Sequence, residues 1–336
     1  MRCRKVEFSA INFLDFINSP HGFPDEFEVR SNIDIIAYKN LERNGRMSLD
    51  ALILIGESIN DSVPSTKEKF DANDLDGIVE LAQFQAAKGA AYIDVNVGLR
   101  APEFMAATVR AIQSKVHLPL SIDTPDTELA EAGLKAYDPA LAGGAKPILN
   151  SISEARLDMF DLYKDQPFIP IILTTEGRDD SGNMMMNKTA DSTYQTASRM
   201  ISIARERIPD VRNEDLILDP GITPIGSDSE GNFRRLMTTI RMIHENSDMA
   251  KINMSVGLSN FTVMLPPRTA EGRLVRSPLE SAFLTMAMPL GFNMVIGSVR
   301  RKYKILEDDH PAMECLNDVL KLDGIDAVMR VMSFYS

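Results

Sequence analysis

The chain lacks tryptophan altogether and has only two cysteines and four histidines in 336 residues. Cys3 and Cys315 form neither a metal-spaced pair nor a disulfide framework, and both fit a reducing compartment. No apolar run approaches the ~20 residues that a membrane-spanning helix needs. The basic start, Met1 to Lys5, is not followed by an apolar segment with a small-residue cleavage site. No secretory leader is therefore expected, and a cytoplasmic location is. An excess of positive charge is also missing: 36 Lys and Arg face 48 Asp and Glu, a formal net charge of −12. That balance speaks against a broad phosphate-backbone surface, so neither nucleic acid nor membrane is an expected partner. There is no Gly-rich phosphate loop and no serine in a nucleophile elbow. The four histidines, His21, His117, His244 and His310, all fall away from the strand ends described next. A zinc-type site, which wants imidazole or thiolate, is not expected, although an Asp and Asn oxygen set leaves a hard-ion site open.

What is present is a series. Short β-branched or apolar runs recur at 52–56, 92–97, 118–122, 147–149, 168–173, 216–218, 252–258 and 293–296. Helix-like stretches such as 75–88, 127–136 and 192–207 lie between them. Continuous apolar strands separated by helices mean parallel β-structure covered on its outer face. Eight such units are the number that closes a (β/α)8 barrel, which takes about 250 residues. The expected fold class is therefore α/β, a TIM barrel over residues 48–336. An extension over 1–47 precedes it, with an aromatic-rich stretch at 8–27, and either caps the barrel bottom or contacts a second subunit. Three connections are long, 176–189, 221–232 and 261–277. Each follows a strand, so each belongs to the catalytic face.

Polar residues stand where the strands run out. Glu57 and Asn60 follow the first, Asp94 and Asn96 lie on the second, and Asp123 ends the third. Asn150 ends the fourth, Asp219 the sixth, and Ser259 with Asn260 the seventh. In a barrel these residues meet at one mouth. Carboxylates accept from ring N–H groups and exocyclic amines, and carboxamides both donate and accept, so the mouth suits the edge of a polar heterocycle. Each residue alone has a plainer reading as a helix N-cap or turn former. Asp123 precedes Thr-Pro-Asp and Asp219 precedes Pro-Gly, both turn contexts, and Asp94 sits inside its strand as a buried support would. Capping does not readily explain the joint occurrence at most strand ends.

Five strings, in order, resemble the pterin-binding methyltransferase family: Ile-Gly-Glu-Ser-Ile-Asn (55–60), Asp-Val-Asn-Val-Gly (94–98), Ser-Ile-Asp-Thr (121–124), Ile-Leu-Asn-Ser (148–151) and Gly-Leu-Ser-Asn (257–260). Leu-Ile-Leu-Asp-Pro (216–220), Met-Asn-Lys-Thr (186–189) and Phe-Leu-Thr-Met-Ala-Met (283–288) support them, and the resemblance spans about residues 51–300. It implies a dihydropteroate-synthase-like barrel that binds tetrahydrofolate or 5-methyltetrahydrofolate. It also implies exchange of the N5 methyl group with cobalamin carried by a separate corrinoid protein, as the second methyltransferase of a demethylase or one-carbon pathway, and a homodimer. Carried over by residue, Asp123, Asn150 and Asp219 are the pterin anchors, and Asn260 is the catalytic amide at N5. Asn96, Glu57 and Asn60 complete the binding set, and no metal is implied. The chain departs from the family at Ser58, where Arg is common, and at Ile-Gly-Ser-Val-Arg after the last strand, where an acid is frequent.

The implied reaction is an in-line methyl transfer between N5 and cobalt. It asks the barrel for orientation and electrostatics rather than for a nucleophile. Dihydropteroate synthase is the nearest alternative on the same barrel. It carries a Gly-Glu-Ser-Thr-Arg-Pro-Gly-like loop and an Arg-x-His-Asp-like string, and neither stands here. A pterin-binding docking subunit without catalysis is a second alternative. A metal or Schiff-base lyase is a third, with Lys188 and Lys251 the lysines near the mouth strings. Arg268, Arg273 and Arg276 are candidates for the folate glutamate tail or an acidic partner, or are solvated loop residues.

Overall fold

The computed structural model describes residues 48–179 and 181–336, so the 1–47 extension, with Cys3, lies outside the described residues. From the first strand onward the chain alternates. β1 (Ile53–Asn60) leads to α1 (Pro64–Asp71) and α2 (Leu75–Ala87), β2 (Tyr92–Asn96) to α3 (Pro102–Gln113), and β3 (Leu120–Asp123) to α4 (Thr127–Ala136). β4 (Ile148–Ile152) is followed by the 3-10 stretch Leu157–Lys164. β5 (Ile169–Leu173) is followed by β6 (Glu176–Arg178), β7 (Met184–Met186) and α5 (Ala190–Arg207). β8 (Ile217–Asp219) leads to α6 (Asn232–Glu245), and β9 (Asn253–Met254) to α7 (Ser259–Thr262) and α8 (Arg276–Ala287). β10 (Met294–Gly297) leads to α9 (Pro311–Val319) and α10 (Gly324–Tyr335).

Eight strands form one parallel sheet in the order β10-β1-β2-β3-β4-β5-β8-β9. The chain beyond β9 closes the ring. Gly257 bridges Ile296, whose N–H donates to Val256 O at 3.0 Å while Leu258 N–H donates to Ile296 O at 2.9 Å. The fold is the expected (β/α)8 barrel.

Two apolar cores follow from the period-2 alternation of strand side chains. Ile53, Ile55, Tyr92, Ile148, Ile169, Ile171, Ile217, Met294 and Ile296 fill the barrel interior. The alternate positions, among them Ile93, Val95, Ile122, Leu149, Ile172 and Leu218, face the helices. Helix spacing matches: α6 buries Phe233, Leu236, Met237, Ile240 and Ile243, one stripe of a 3.6-residue period. Truncating one interior isoleucine to alanine costs about 2–5 kcal/mol, because the close-packed ring around it cannot collapse into the gap.

Two expectations change in detail. The seventh strand, expected over 252–258, is ladder-paired only at Asn253 and Met254, and the chain then leaves β8 to pair with β10 at Gly257. The connection 176–189 is an antiparallel hairpin rather than an open loop, with Glu176 opposite Met186. Its turn is built by Asp179, whose carboxylate accepts from the Ser181 and Asn183 N–H groups, and by Gly182 at φ +83°. No helix among the described residues is long and apolar enough to cross a membrane.

Candidate active site

The inward-facing rows change from apolar to polar as they reach the C-terminal strand ends. On β1 the row is Ile53, Ile55, Glu57; on β2 it is Tyr92, Asp94, Asn96; on β3 it is Ser121, Asp123. On β4 it ends at Asn150 and on β8 at Asp219. Parallel register sets these ends side by side: Asp94 lies opposite Ser121, Asp123 opposite Asn150, and Leu173 opposite Asp219. The convergence expected of strand-end residues is thus a consequence of barrel closure.

Helix capping is done largely by other residues. Asp74 caps α2, Asp126 caps α4 through Glu128 N and Leu129 N, and Thr189 caps α5. Asp123 instead accepts from Asn96 Nδ2 at 2.9 Å, and Asn96 Oδ1 accepts from Gly98 N at 2.9 Å. Beneath them Asp94 is 1% exposed. Burial pushes its carboxyl well above the usual range and the neighbouring Asp123 adds to the shift, while contacts from Ser121 and Asn150 oppose it. Burial thus disfavours charge on Asp94 beside Asp123. Asp123 is itself raised by burial, opposed by its bonds from Asn96 and Asp94. The two carboxyls are neighbours, and burial raises both.

Asp219 combines the two readings open to it. Its Oδ1 accepts from Gly221 N at 2.7 Å, the turn bond that Asp-Pro-Gly suggests. Gly221 has φ +73°, and a Cβ there would lie 1.9 Å from Thr175 Cγ2, so only glycine fits. Burial raises the Asp219 carboxyl to about 7, against the Gly221 bond and the nearby Arg235. Arg235, 7% exposed, donates to Pro220 O at 2.9 Å, Gly221 O at 3.2 Å and Thr193 Oγ1 at 3.1 Å, and so stiffens the turn that carries Asp219.

The remaining expected residues lie on the β9–β10–β1 side. Glu57 is bonded by Ser259 Oγ at 2.8 Å. Burial raises its carboxyl; the Ser259 bond opposes this, Glu280 reinforces it and Arg301 lowers it. Asn260, on α7, is exposed and folds back so that its Nδ2 lies 2.9 Å from where a Cβ on Gly257 would stand. Asn60 pairs in register with Asn96, but its Oδ1 accepts from Ser62 N at 2.9 Å, a local turn bond. Glu57 and Asn60 thus make bonds of their own at the mouth edge.

Sequence reasoning did not reach Glu280, Thr262, Arg301 or Arg235. Glu280 and Thr262 are both 0% exposed and bonded to each other, with Arg301 Nε 3.3 Å from Glu280. The signal for Glu280 was a lone acid in the mostly apolar Leu-Glu-Ser-Ala-Phe-Leu. Among the candidate arginines, Arg268 donates to Gly272 O and Arg276 to Leu265 O, bonds that shape their own loop, and Arg273 pairs loosely with Glu271 at 3.8 Å. Among the described residues no group of three or more His, Cys, Asp or Glu side chains is arranged to hold a metal ion.

A parallel barrel whose mouth gathers buried carboxyls and carboxamides suits a heterocycle rich in N–H donors. The sequence model of the pterin binding enzyme family matches residues 57–297, and the chain belongs to that family, whose catalytic pterin-binding domain it carries. A methylcorrinoid:tetrahydrofolate methyltransferase of Eubacterium limosum is 26% identical over 258 residues, 73% of this chain and 84% of that protein. A dihydropteroate synthetase structure superposes with TM-score 0.51 at 14% identity, covering 85% of this chain and 93% of that one. The dihydropteroate synthase of Thermus thermophilus does so with TM-score 0.50 at 18% identity, covering 83% and 96%. At those identities the structural likeness concerns the fold.

Proposed function

We propose that the protein is a methyltransferase that moves a methyl group between N5 of tetrahydrofolate and the cobalt of a corrinoid bound to a separate protein. The observation that carries this is the set Asn96, Asp123 and Asn150 on adjacent strands at the mouth, with Asp219 beyond the intervening β5 and the Asn260 carboxamide on the β9 side. Asp123 and Asp219 accept from the pterin ring N–H and amino groups, and Asn150 completes the pattern. Asn260 contacts the N5 end. The tertiary amine at N5 is a poor leaving group, and a positioned carboxamide stabilises the N5–H that develops as the methyl group departs. The corrinoid supplies the methyl-accepting or methyl-donating cobalt, and the chain's own residues supply orientation.

The rim supports a docking role. Of the exposed large hydrophobics, Leu99 follows β2, Met184, Met185 and Met186 form β7 after β5, and Val263, Met264 and Leu274 follow β9. All belong to connections that leave the C-terminal end of the barrel, where a corrinoid domain must approach. Methionine side chains adapt to varied partners. A cytoplasmic homodimer acting as the second methyltransferase of a demethylase or other one-carbon pathway fits this reading.

Calorimetry with tetrahydrofolate and 5-methyltetrahydrofolate, without added metal, tests it first. Micromolar binding is expected, followed by methyl transfer from 5-methyltetrahydrofolate to free cob(I)alamin. Binding of a pterin pyrophosphate alone sinks the reading in favour of dihydropteroate synthase.

A further inference from the structure

Asn260 sits on a helix of four residues, Ser259–Thr262, too short to hold its own geometry. Its two end residues are held from outside by acids on different elements. Ser259 Oγ donates to Glu57 on β1 at 2.8 Å. Thr262 Oγ1 donates to Glu280 on α8, with both residues fully buried. Arg301, just past β10, stands 3.3 Å from Glu280 as an ion pair and also offsets the charge of Glu57. Buried acids of this kind cost stability unless paired, and an apolar contact packs a helix more cheaply. What two hydroxyl–carboxyl bonds add is direction.

We propose that Glu57 and Glu280 are positioning residues that clamp α7 at both ends and so set the aim of the Asn260 carboxamide. This rests on the folate methyl-transfer reading. The clamp's hydrogen bonds are separate from those of the pterin anchors: they share none with Asp123, Asn150 or Asp219, although the charge of Glu57 reaches Asp94. Breaking it therefore moves the reacting contact while leaving the ring's seat intact. A displacement of about 1 Å at a reacting group lowers rate by up to ~100-fold.

The test uses the full chain with Ser259→Ala, Thr262→Val and Thr262→Ser. Tetrahydrofolate affinity is read by calorimetry, and single-turnover methyl transfer from 5-methyltetrahydrofolate to free cob(I)alamin gives the rate. Ser259→Ala and Thr262→Val are expected to slow transfer about 10- to 100-fold while folate Kd changes less than about threefold. Thr262→Ser, which keeps the hydroxyl, recovers most of the rate. Wild-type rates in both deletions overturn the clamp alone. Parallel losses of affinity and rate also overturn it, since they mark a merely structural tie. A wild type that neither binds folate nor transfers methyl overturns the methyl-transfer reading, and the clamp with it.

Discussion

The two sides of the barrel mouth are built on different principles. On the β2–β3–β4–β8 side, Asn96, Asp123, Asn150 and Asp219 are strand ends, locked in register by ladder hydrogen bonds and, at Asp123, by the bond from Asn96. On the β9–β10–β1 side, Asn260 rides on a four-residue helix that takes its position from Glu57 and Glu280. The first side offers a fixed hydrogen-bond pattern to a flat ring. The second offers one exposed amide whose direction depends on neighbours. On the proposed reading, ring recognition falls on elements that cannot shift, and the contact with the reacting atom on one that its neighbours tune.

The sharpest way to break that contrast is to remove one residue from each side. Asp123→Ala leaves Asn96 Nδ2 without its acceptor, on top of the loss of the proposed ring contact. A lost hydrogen bond to a charged acceptor costs about 1.5–3 kcal/mol of binding, so tetrahydrofolate affinity should fall about 10- to 100-fold in a calorimetric titration. Asn260→Ala should leave affinity within a few-fold but slow methyl transfer by about 10²–10³. If Asn260→Ala weakens folate binding as much as it slows turnover, the division between seat and reacting contact is wrong.

The first side was far more legible in the sequence than the second. Asp94, Asn96, Asp123, Asn150 and Asp219 each end or interrupt an apolar run, and period 2 assigns all five to the inward face. The barrel itself followed from the same runs, and the seventh strand shortened most, because Gly257 switches partners from β8 to β10. On the second side the contacts join residues about 200 positions apart, Ser259 with Glu57, or link a helix interior to a loop, Glu280 with Arg301. No local pattern encodes such pairs. Asn60 shows the opposite hazard: a motif position that looked like part of the mouth spends its carbonyl on a turn two residues ahead.

A milder test uses pH on the first side. Asp219 is raised from 3.8 to about 7 by burial, so at neutral pH it is only partly ionised. A ring that donates to it favours the carboxylate, and tetrahydrofolate affinity should rise as pH passes upward through about 7. Asp219→Asn should bind more weakly and lose this dependence. The sign for stability is the reverse. A folded-state pKa above the unfolded one means that the native protein binds more protons between 3.8 and about 7, so Asp219 contributes least above that window. Thermal melts should show Asp219→Asn gaining on wild type as pH rises from 4 to 8. A constant difference across that range removes the link between burial and charge at this position.

The smallest effect should come from the rim, which belongs to neither side of the site. Met185 is 57% exposed on β7 and Met264 is 65% exposed beyond α7. If they pack against a corrinoid protein, Met185→Ser and Met264→Ser each forfeit about 1–2 kcal/mol of apolar contact, a roughly 5- to 30-fold rise in KM for that partner. The rate with free cob(I)alamin should be unchanged, because small cobalamin does not span the rim, and folate affinity should be unchanged because neither methionine bonds an anchor. An equal loss with free cob(I)alamin would assign the methionines to the inner site. No loss with either acceptor would leave docking to the polar surface between the loops, and the exposed methionines would then serve a contact other than methyl transfer.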